Sequence, residues 1–204
     1  MLYLVKNPAV FRWLYPTLLW QMPTKNKTIY LTFDDGVTPE LTPFIVAQLD
    51  AFDAKATFFL VGQQSEKYPE LVALLLEKGH SLGNHTHNHC NGWKTDTATY
   101  CQSVADCAKV VQTTLFRPPY GKISRSQIRA LAPHYKIVMW DVIAGDFDPK
   151  ADADTCLRRL KKYARSGSIV VLHDNARFAE KVRQILPPLL QFYKEEGYKL
   201  EGLP

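Results

Sequence analysis

The feature of this sequence that most restricts its fold is an alternation of short apolar runs with segments of helical periodicity. Five runs rich in β-branched or aromatic residues are predicted strands: Thr28–Asp34, 55–60, 80–83, 136–141 and 168–173. Weaker runs lie near Leu115–Phe116 and 198–200. Such alternation is typical of parallel strands joined by crossover helices. It predicts an α/β fold with about seven strands.

Helix start and stop signals fall between these runs. Residues 38–40 read as an N-cap threonine followed by a proline at the first helical position, and a second helix is predicted to open at Pro69 and close at Gly79. Between residues 95 and 114, five residues recur with helical spacing and predict one buried face: Tyr100, Val104, Cys107, Ala108 and Val111. A further helix is predicted over 152–167.

Composition and charge indicate a single globular domain. Of 204 residues, 46 % are hydrophobic and 22 % charged, and no repeat or low-complexity linker divides them, so we expect one domain over 1–204. The net charge of +5 is dispersed. The basic cluster at 158–162 is better explained by a solvated helix face than by a nucleic-acid track, so we expect no nucleic-acid partner.

The N-terminal segment 1–24 is aromatic and apolar, but Pro8, Arg12 and Pro16 interrupt it. It lacks an unbroken apolar core and a small-residue cleavage site. We therefore expect neither a signal peptide nor a stable membrane span, and interpret the segment as packed on the domain. A weak anchor or a membrane-touching surface is the alternative.

The four cysteines are far apart and include no Cys-x-x-Cys pair. They are Cys90, Cys101, Cys107 and Cys156. We expect reduced thiols, and together with the missing signal this favours the cytoplasm.

Two adjacent carboxylates, Asp34 and Asp35, stand where the first predicted strand ends. Adjacent side chains of a regular strand point to opposite faces, so both acids can serve one site only if the chain turns there. Gly36 permits such a turn. A turn or helix-capping pair is the alternative.

A histidine cluster follows the third predicted strand. His85 and His89 are four residues apart, a spacing that would bring both imidazoles to one face of a helical turn, while His87 would point elsewhere. Two histidines and one carboxylate leave room for water, as in a catalytic metal site. Zinc is the first choice of metal.

Two further motifs offer catalytic groups. Arg117 precedes two prolines that have no backbone donor, so the next free N–H groups are those of Tyr120 and Gly121, which could face an oxyanion. An ordinary proline turn is the alternative. His173 ends an apolar strand and is a candidate general acid, although a histidine hydrogen-bonded to Asp174 would have the same sequence.

In this order the motifs resemble those of the polysaccharide deacetylases, carbohydrate esterase family 4, whose domain is shared with the chitooligosaccharide deacetylases of nodulation. The resemblance covers about residues 28–200. It rests on residues 32–36, His85-Thr86 with His89, 117–120, Asp146 and Leu172-His173. It implies a distorted (β/α) barrel with a divalent ion bound by Asp35, His85 and His89. Zinc would be the metal, with cobalt, nickel and manganese as alternatives.

The resemblance also implies a catalytic role for five residues. Asp34 would be the general base and Arg117 its partner, while His173 would protonate the leaving amine and Asp146 would favour its charged form. The N–H of Tyr120 would help to stabilise the oxyanion.

The implied activity is hydrolysis of N-acetyl groups on N-acetylhexosamine units of an acetylated poly- or oligosaccharide. Leu172 would contact the acetyl methyl. Tyr120, Trp140 and Phe147 are further candidate substrate-binding residues whose rings could stack on sugars, with core packing as the alternative for Trp140. The alternatives are the same chemistry on O-acetyl esters or a small non-peptide amide, and a degenerate member that binds glycan without turnover. The sequence leaves the oligomeric state open.

Overall fold

The computed structural model describes residues 3–204. Within that range one sheet has eight strands: β1 (Thr28–Asp34), β2 (Thr57–Leu60), β3 (Ser81–Asn84), β4 (Leu115–Phe116), β5 (Lys136–Ile137), β6 (Val142–Ile143), β7 (Ile169–His173) and β8 (Lys199–Leu200). Seven of them follow the order β5-β4-β3-β2-β1-β7-β6, β8 pairs with the start of β1, and all pairs are parallel. The sheet curls into a half-barrel with helices, which confirms the predicted fold class.

Eight α-helices connect or cover the strands in the described range. They are α1 (Ala9–Leu14), α2 (Thr42–Ala51), α3 (Gly62–Lys67), α4 (Pro69–Glu77), α5 (Thr97–Ala108), α6 (Arg125–Leu131), α7 (Ala153–Tyr163) and α8 (Ala179–Glu195). Short 3-10 turns lie at Pro119–Gly121 and Ala176–Phe178. None of the helices within 3–204 has the length and apolar character that crossing a membrane requires.

Several helix predictions are confirmed and others are shifted. Helix α4 begins at Pro69 as predicted, and Gly79 follows it with a φ of +71°. Helix α2 starts at Thr42, later than predicted, because the hydroxyl of Thr38 is bonded to Asp174 and its N–H donates to Thr42. Helix α7 ends at Tyr163, short of the predicted bound. The predicted face of α5 is buried apart from Ala108, which is half-buried.

Only the first two residues of the predicted strand over 136–141 are strand, as β5, and β6 begins after its predicted end, so the count rises to eight. The residues that follow β5 bond both to the sheet, where Val138 N donates to Phe116 O at 2.7 Å, and to the N-terminal segment. Leu19 donates to Ile137 O at 2.9 Å and accepts from Met139 N at 2.7 Å. The chain before β1 therefore lies along the gap between β5 and β6.

The N-terminal segment packs on the domain over only part of its length. Leu18 and Trp20 are 7 % and 8 % exposed and belong to the apolar cluster beneath α5 and α6. In contrast, Trp13 on α1 is 79 % exposed and Leu14 53 %. All four cysteines are free thiols, as expected.

Successive side chains of strand β1 point to opposite faces of the sheet. Ile29, Leu31 and Phe33 enter the main apolar core beneath α2 and α8. Tyr30 belongs to a smaller cluster, and the side chains of residues 32 and 34 share its face of the strand. The polar end of this second face is where the site lies.

Candidate active site

A cleft of about 920 Å³ opens at the carboxyl end of the parallel strands, where catalytic residues of barrel folds collect. Eight of the predicted site residues line it: Asp34, Asp35, His85, His89, Tyr120, Trp140, Phe147 and His173. Arg117 and Asp146 are fully buried behind them and contact Asp34 and His173 directly. The sequence motifs thus converge on one cleft.

Asp34 is held by a buried guanidinium. Arg117 donates from Nη1 to Asp34 Oδ1 at 2.6 Å and to Thr32 Oγ1 at 2.7 Å, and from Nη2 to Met139 O at 3.0 Å. Its guanidinium also lies 4.0 Å from the ring centroid of Phe59. Burial lowers the pKa of Arg117 below its ordinary value, while the charge of Asp34 opposes that shift. This pair fixes the orientation of the Asp34 carboxylate.

The turn that separates the two carboxylates is made by Asp35 itself, with a φ of +78°. The sequence predicts that turn at Gly36, but glycine is required there for a different reason. A Cβ at Gly36 would lie 2.4 Å from Asp174 Oδ2, so only glycine allows that close approach. Asn175 donates to Asp35 Oδ2 at 3.1 Å and orients the second carboxylate.

His85 and His89 point their Nε2 atoms at the same carboxylate oxygen. The distances to Asp35 Oδ1 are 3.6 Å and 3.1 Å. His85 Nδ1 is 2.8 Å from the carbonyl of Arg117, and His89 Nδ1 is 3.1 Å from the hydroxyl of Tyr120. The three possible ligand atoms lie within 4.8 Å of one another. Partners on both Nδ1 atoms leave both Nε2 atoms available to a cation.

The predicted helical turn between these histidines is wrong. Residues 85–90 form a loop in which Thr86 and His89 have positive φ values of 61° and 54°. The side chain of Asn84 stabilises it by accepting from Thr86 N at 2.9 Å. His87 turns away from the cleft as predicted, with Nε2 3.8 Å from Glu66. The two imidazoles do come together as predicted. The cause is the left-handed conformation of two loop residues and not helical periodicity.

The protonation states of the cluster suit a divalent cation. Burial lowers the pKa of His85 to about 4, so its Nε2 has a free lone pair at neutral pH. Burial alone would raise the pKa of Asp35, but the hydrogen bond with His89 and the nearby histidines bring it well below its usual range. Neutral imidazoles and an ionised carboxylate are the forms that ligate metal. The donor set fits zinc with coordination positions left for small ligands.

His173 is paired with a buried carboxylate on the other side of the cleft. Asp146 accepts from His173 N at 2.7 Å, and its other oxygen lies 2.8 Å from Nδ1. Burial alone would lower the pKa of His173, but Asp146, together with the charges of Asp35 and Asp34, raises it to about 9. The alternative partner, Asp174, binds Thr38 instead. Because β1 and β7 pair in register, His173 lies beside Asp34.

Tyr120 occupies the proline loop with a φ of +61° and is 51 % exposed. Of the two predicted oxyanion donors, Gly121 N–H is bonded to Pro118 O at 3.0 Å. Tyr120 therefore remains the candidate donor. Its hydroxyl contact with His89 is an additional role that the sequence analysis did not predict.

The walls of the cleft include two of the predicted aromatic residues. Trp140 packs against the proline loop, and Phe147 lies edge to face with His173 at a centroid distance of 5.3 Å. Leu172 does not reach the cleft. It is fully buried in the main apolar core because it points to the opposite face of β7 from His173.

The sequence analysis missed several residues of the site. Asn175 lies two residues after His173, the predicted acid, which ends β7. This position beyond a strand end is a local signal that could have identified it. Tyr3, Leu4 and Asn7 also line the cleft, although they are far from every motif in the sequence. No local pattern indicates that the N-terminal segment reaches the catalytic residues.

Comparison with known proteins shows the family of the chain. Residues 21–136 match the family model described as Polysaccharide deacetylase, and the chain belongs to that family. It is 33 % identical to a peptidoglycan-N-acetylglucosamine deacetylase of Bacillus cereus, over 88 % of each chain. It is also 27 % identical to a chitooligosaccharide deacetylase of Azorhizobium caulinodans, over 89 % of this chain and 95 % of that one.

A solved structure with a similar fold is a peptidoglycan N-acetylglucosamine deacetylase in complex with 4-naphthalen-1-yl-N-oxidanyl-benzamide. It is 28 % identical in sequence to this chain, and the TM-score is 0.88. The similarity covers 95 % of this chain and 94 % of that one. The half-barrel and its helices are therefore those of a known deacetylase structure.

Proposed function

We propose that this protein is a metal-dependent hydrolase that removes N-acetyl groups from N-acetylhexosamine units of a poly- or oligosaccharide. The observation that carries the proposal is a possible metal site in the same cleft as a paired base and a paired acid that end neighbouring strands. The names of the two curated relatives, which specify peptidoglycan and chitooligosaccharide, support an acetylated glycan as substrate.

Asp35, His85 and His89 would hold the cation. When bound, a divalent ion supplies Lewis acidity and lowers the pKa of a water ligand toward about 7. Asp34 takes the proton from the attacking water, and its pairing with Arg117 keeps one carboxylate oxygen occupied and the other directed at the cleft. The base and the ligand carboxylate are thus adjacent in sequence but distinct in role.

His173 would act on the leaving group. Asp146 occupies Nδ1, so the proton that can be donated is on Nε2. Its raised pKa, about 9, keeps the imidazolium form at neutral pH. When water attacks the carbonyl carbon, the N–H of Tyr120 stabilises the negative charge that develops on the carbonyl oxygen. As the C=O bond re-forms and the C–N bond breaks, the His173 proton passes to the amine nitrogen.

Acetate release from zinc-loaded protein tests the proposal. N-acetylated chitooligosaccharide, peptidoglycan and an O-acetylated glycan are incubated separately with the same enzyme. We expect acetate and a free amine from at least one of the N-acetylated glycans. Release from the O-acetylated glycan alone would make the protein an esterase, and no release from any of the three would contradict glycan deacetylation.

Two substitutions separate the base from the metal ligands. Asp34→Asn is expected to retain zinc and to lower kcat about 10²- to 10⁴-fold, since only the proton acceptor is lost. His89→Ala is expected to lose both zinc and activity. His134→Ala, at an exposed histidine outside the cleft, is the control and should keep both. An Asp34→Asn variant of normal activity would show that another group is the base.

A further inference from the structure

Residues 3–7 lie along the edge of the sheet, beside the part of the cleft that holds His173 and Asp146. We call this part the acid side. Ile143 N donates to Val5 O at 2.9 Å, and Asn7 N donates to Asp141 O at 2.9 Å. These backbone bonds lie on either side of Val142 in β6, so they hold the segment in register whatever its side chains are. The segment is thereby placed next to the loop that follows β6.

Tyr3 joins this segment to that loop and to α7 by three contacts. Its hydroxyl donates to Asp148 Oδ2 at 3.0 Å and accepts from Arg159 Nη1 at 2.7 Å. Its ring lies 4.9 Å from the ring of Phe147, centroid to centroid. A Cβ on Gly145 would come within 2.3 Å of the Tyr3 hydroxyl, so the loop backbone also approaches closely. Tyr3 is therefore packed against both ends of the loop 145–148.

That loop also carries the groups that hold the acid. Asp146 binds His173 through both carboxylate oxygens, and Phe147 lies edge to face against its imidazole. The contacts form one chain from Tyr3 through Phe147 to His173. The hydrogen bond to Nδ1 sets which nitrogen carries the available proton. The rings of Phe147 and Phe178 pack edge-on against the imidazole at centroid distances of 5.3 and 5.9 Å and restrict where that nitrogen points.

We propose that Tyr3 is a positioning residue for His173 that acts through Phe147 and the loop 145–148. Together with Leu4 and Asn7, it forms the wall of the cleft on the acid side. The inference rests on the proposed function, because it takes His173 as the proton donor. It adds a catalytic dependence on a segment that lies before every motif of the site.

The experiment compares zinc-loaded Tyr3→Ala, Tyr3→Phe and wild-type proteins on an N-acetylglucosamine tetramer. We expect Tyr3→Ala to lower kcat about tenfold, with KM changed less, since the acid is misplaced while the metal and base sides are intact. Tyr3→Phe keeps the ring against Phe147 and is expected to restore kcat to within about threefold of wild type. A Phe variant as impaired as the Ala variant would overturn the route through Phe147.

A second measurement does not depend on turnover. Imidazole NMR signals of histidine-labelled protein should shift for His173 in Tyr3→Ala, because the Phe147 ring against it moves, while those of His80, buried elsewhere, stay in place. Trp13→Ala, at an exposed residue of the same N-terminal chain, is the control and should change neither kcat nor the His173 signals.

Unchanged His173 signals together with unchanged kcat in Tyr3→Ala would overturn the inference. Failure of the proposed function is distinguishable from that result. If the proposed function failed, the wild-type protein would release no acetate from the tetramer, while the NMR signals would still report whether Tyr3 orders His173.

Discussion

The base side and the acid side of the cleft hold their proton-transfer groups by different means. Asp34 is bonded to an arginine that is 0 % exposed and whose remaining donors reach Thr32 and strand-end carbonyls inside the half-barrel. His173 is bonded to Asp146 on a loop. That loop is in turn packed by Tyr3, which is 145 residues away from its partner Asp148.

The base side is thus formed by the strands of the sheet, whereas the acid side also depends on elements outside the sheet. The groups around Asp34 belong to strands or directly follow them, so folding the sheet assembles them. The acid side needs a loop and an N-terminal segment to dock as well. We therefore expect changes on the base side to affect stability and activity together, and changes on the acid side to affect activity mainly.

The largest effect is predicted for Arg117→Met, which removes the partner of a buried carboxylate. Because Asp34 would remain buried with no opposing charge, we expect the free energy of unfolding to fall by about 3 to 5 kcal/mol, and activity to be lost. Urea denaturation measures the first and acetate release the second.

The control for this substitution is Lys78→Met. Lys78 and Asp50 are also 2.6 Å apart, but both side chains are about a third or more exposed, so their charges are screened by solvent. We expect a far smaller loss of stability. Equal losses in the two variants would contradict the view that burial makes the Arg117 pair part of the fold.

The sequence was informative where chemistry and strand ends coincide. Asp34 and His173 could be predicted because each ends an apolar run, and parallel strands deliver their carboxyl ends to one rim. The pairing of His85 and His89 was predicted from helical spacing, and the true cause is a left-handed loop that periodicity does not reveal. Correct residues were thus identified with an incorrect local structure.

What the sequence did not reveal are contacts that depend on long-range packing. Nothing near Tyr3 indicates that it meets residues 147 and 148. Nothing in the apolar run of β7 shows which face is core, so the sequence does not correct the cleft position that the family resemblance implies for Leu172. Helix α8 was not predicted, and it contains Pro187 and Pro188, which normally argue against a helix interior.

The next effect in size tests the acid side through pH. The raised pKa of His173 means that the proton is present below about pH 9 and lost above it, so wild-type kcat should fall as the pH rises through that value. Asp146→Asn removes the charge that raises this pKa, while burial still lowers it. The fall should therefore occur at a pH lower by more than one unit, with kcat at pH 7.5 reduced roughly 10- to 100-fold.

The control for Asp146→Asn is Glu66→Gln, which removes the carboxylate 3.8 Å from His87 outside the cleft. We expect the pH profile of this variant to match wild type. We expect the free energy of unfolding to fall less in Asp146→Asn than in Arg117→Met. This result would directly compare the two sides of the cleft. An unchanged alkaline limb in Asp146→Asn would mean that His173 is not the proton donor.

The smallest effect is predicted for Tyr120→Phe, at the boundary between the two sides. The ring remains, but the hydroxyl 3.1 Å from His89 Nδ1 is lost, and with it the contact that orients this ligand. Loss of such an outer partner typically weakens metal binding by about 10-fold or more, so we expect the zinc Kd to rise by that factor. Competition with a chelator measures it, and Tyr15→Phe, at a tyrosine outside the cleft, is the control. A zinc affinity equal to wild type would show that the loop holds His89 without help from Tyr120, as the sheet holds Asp34.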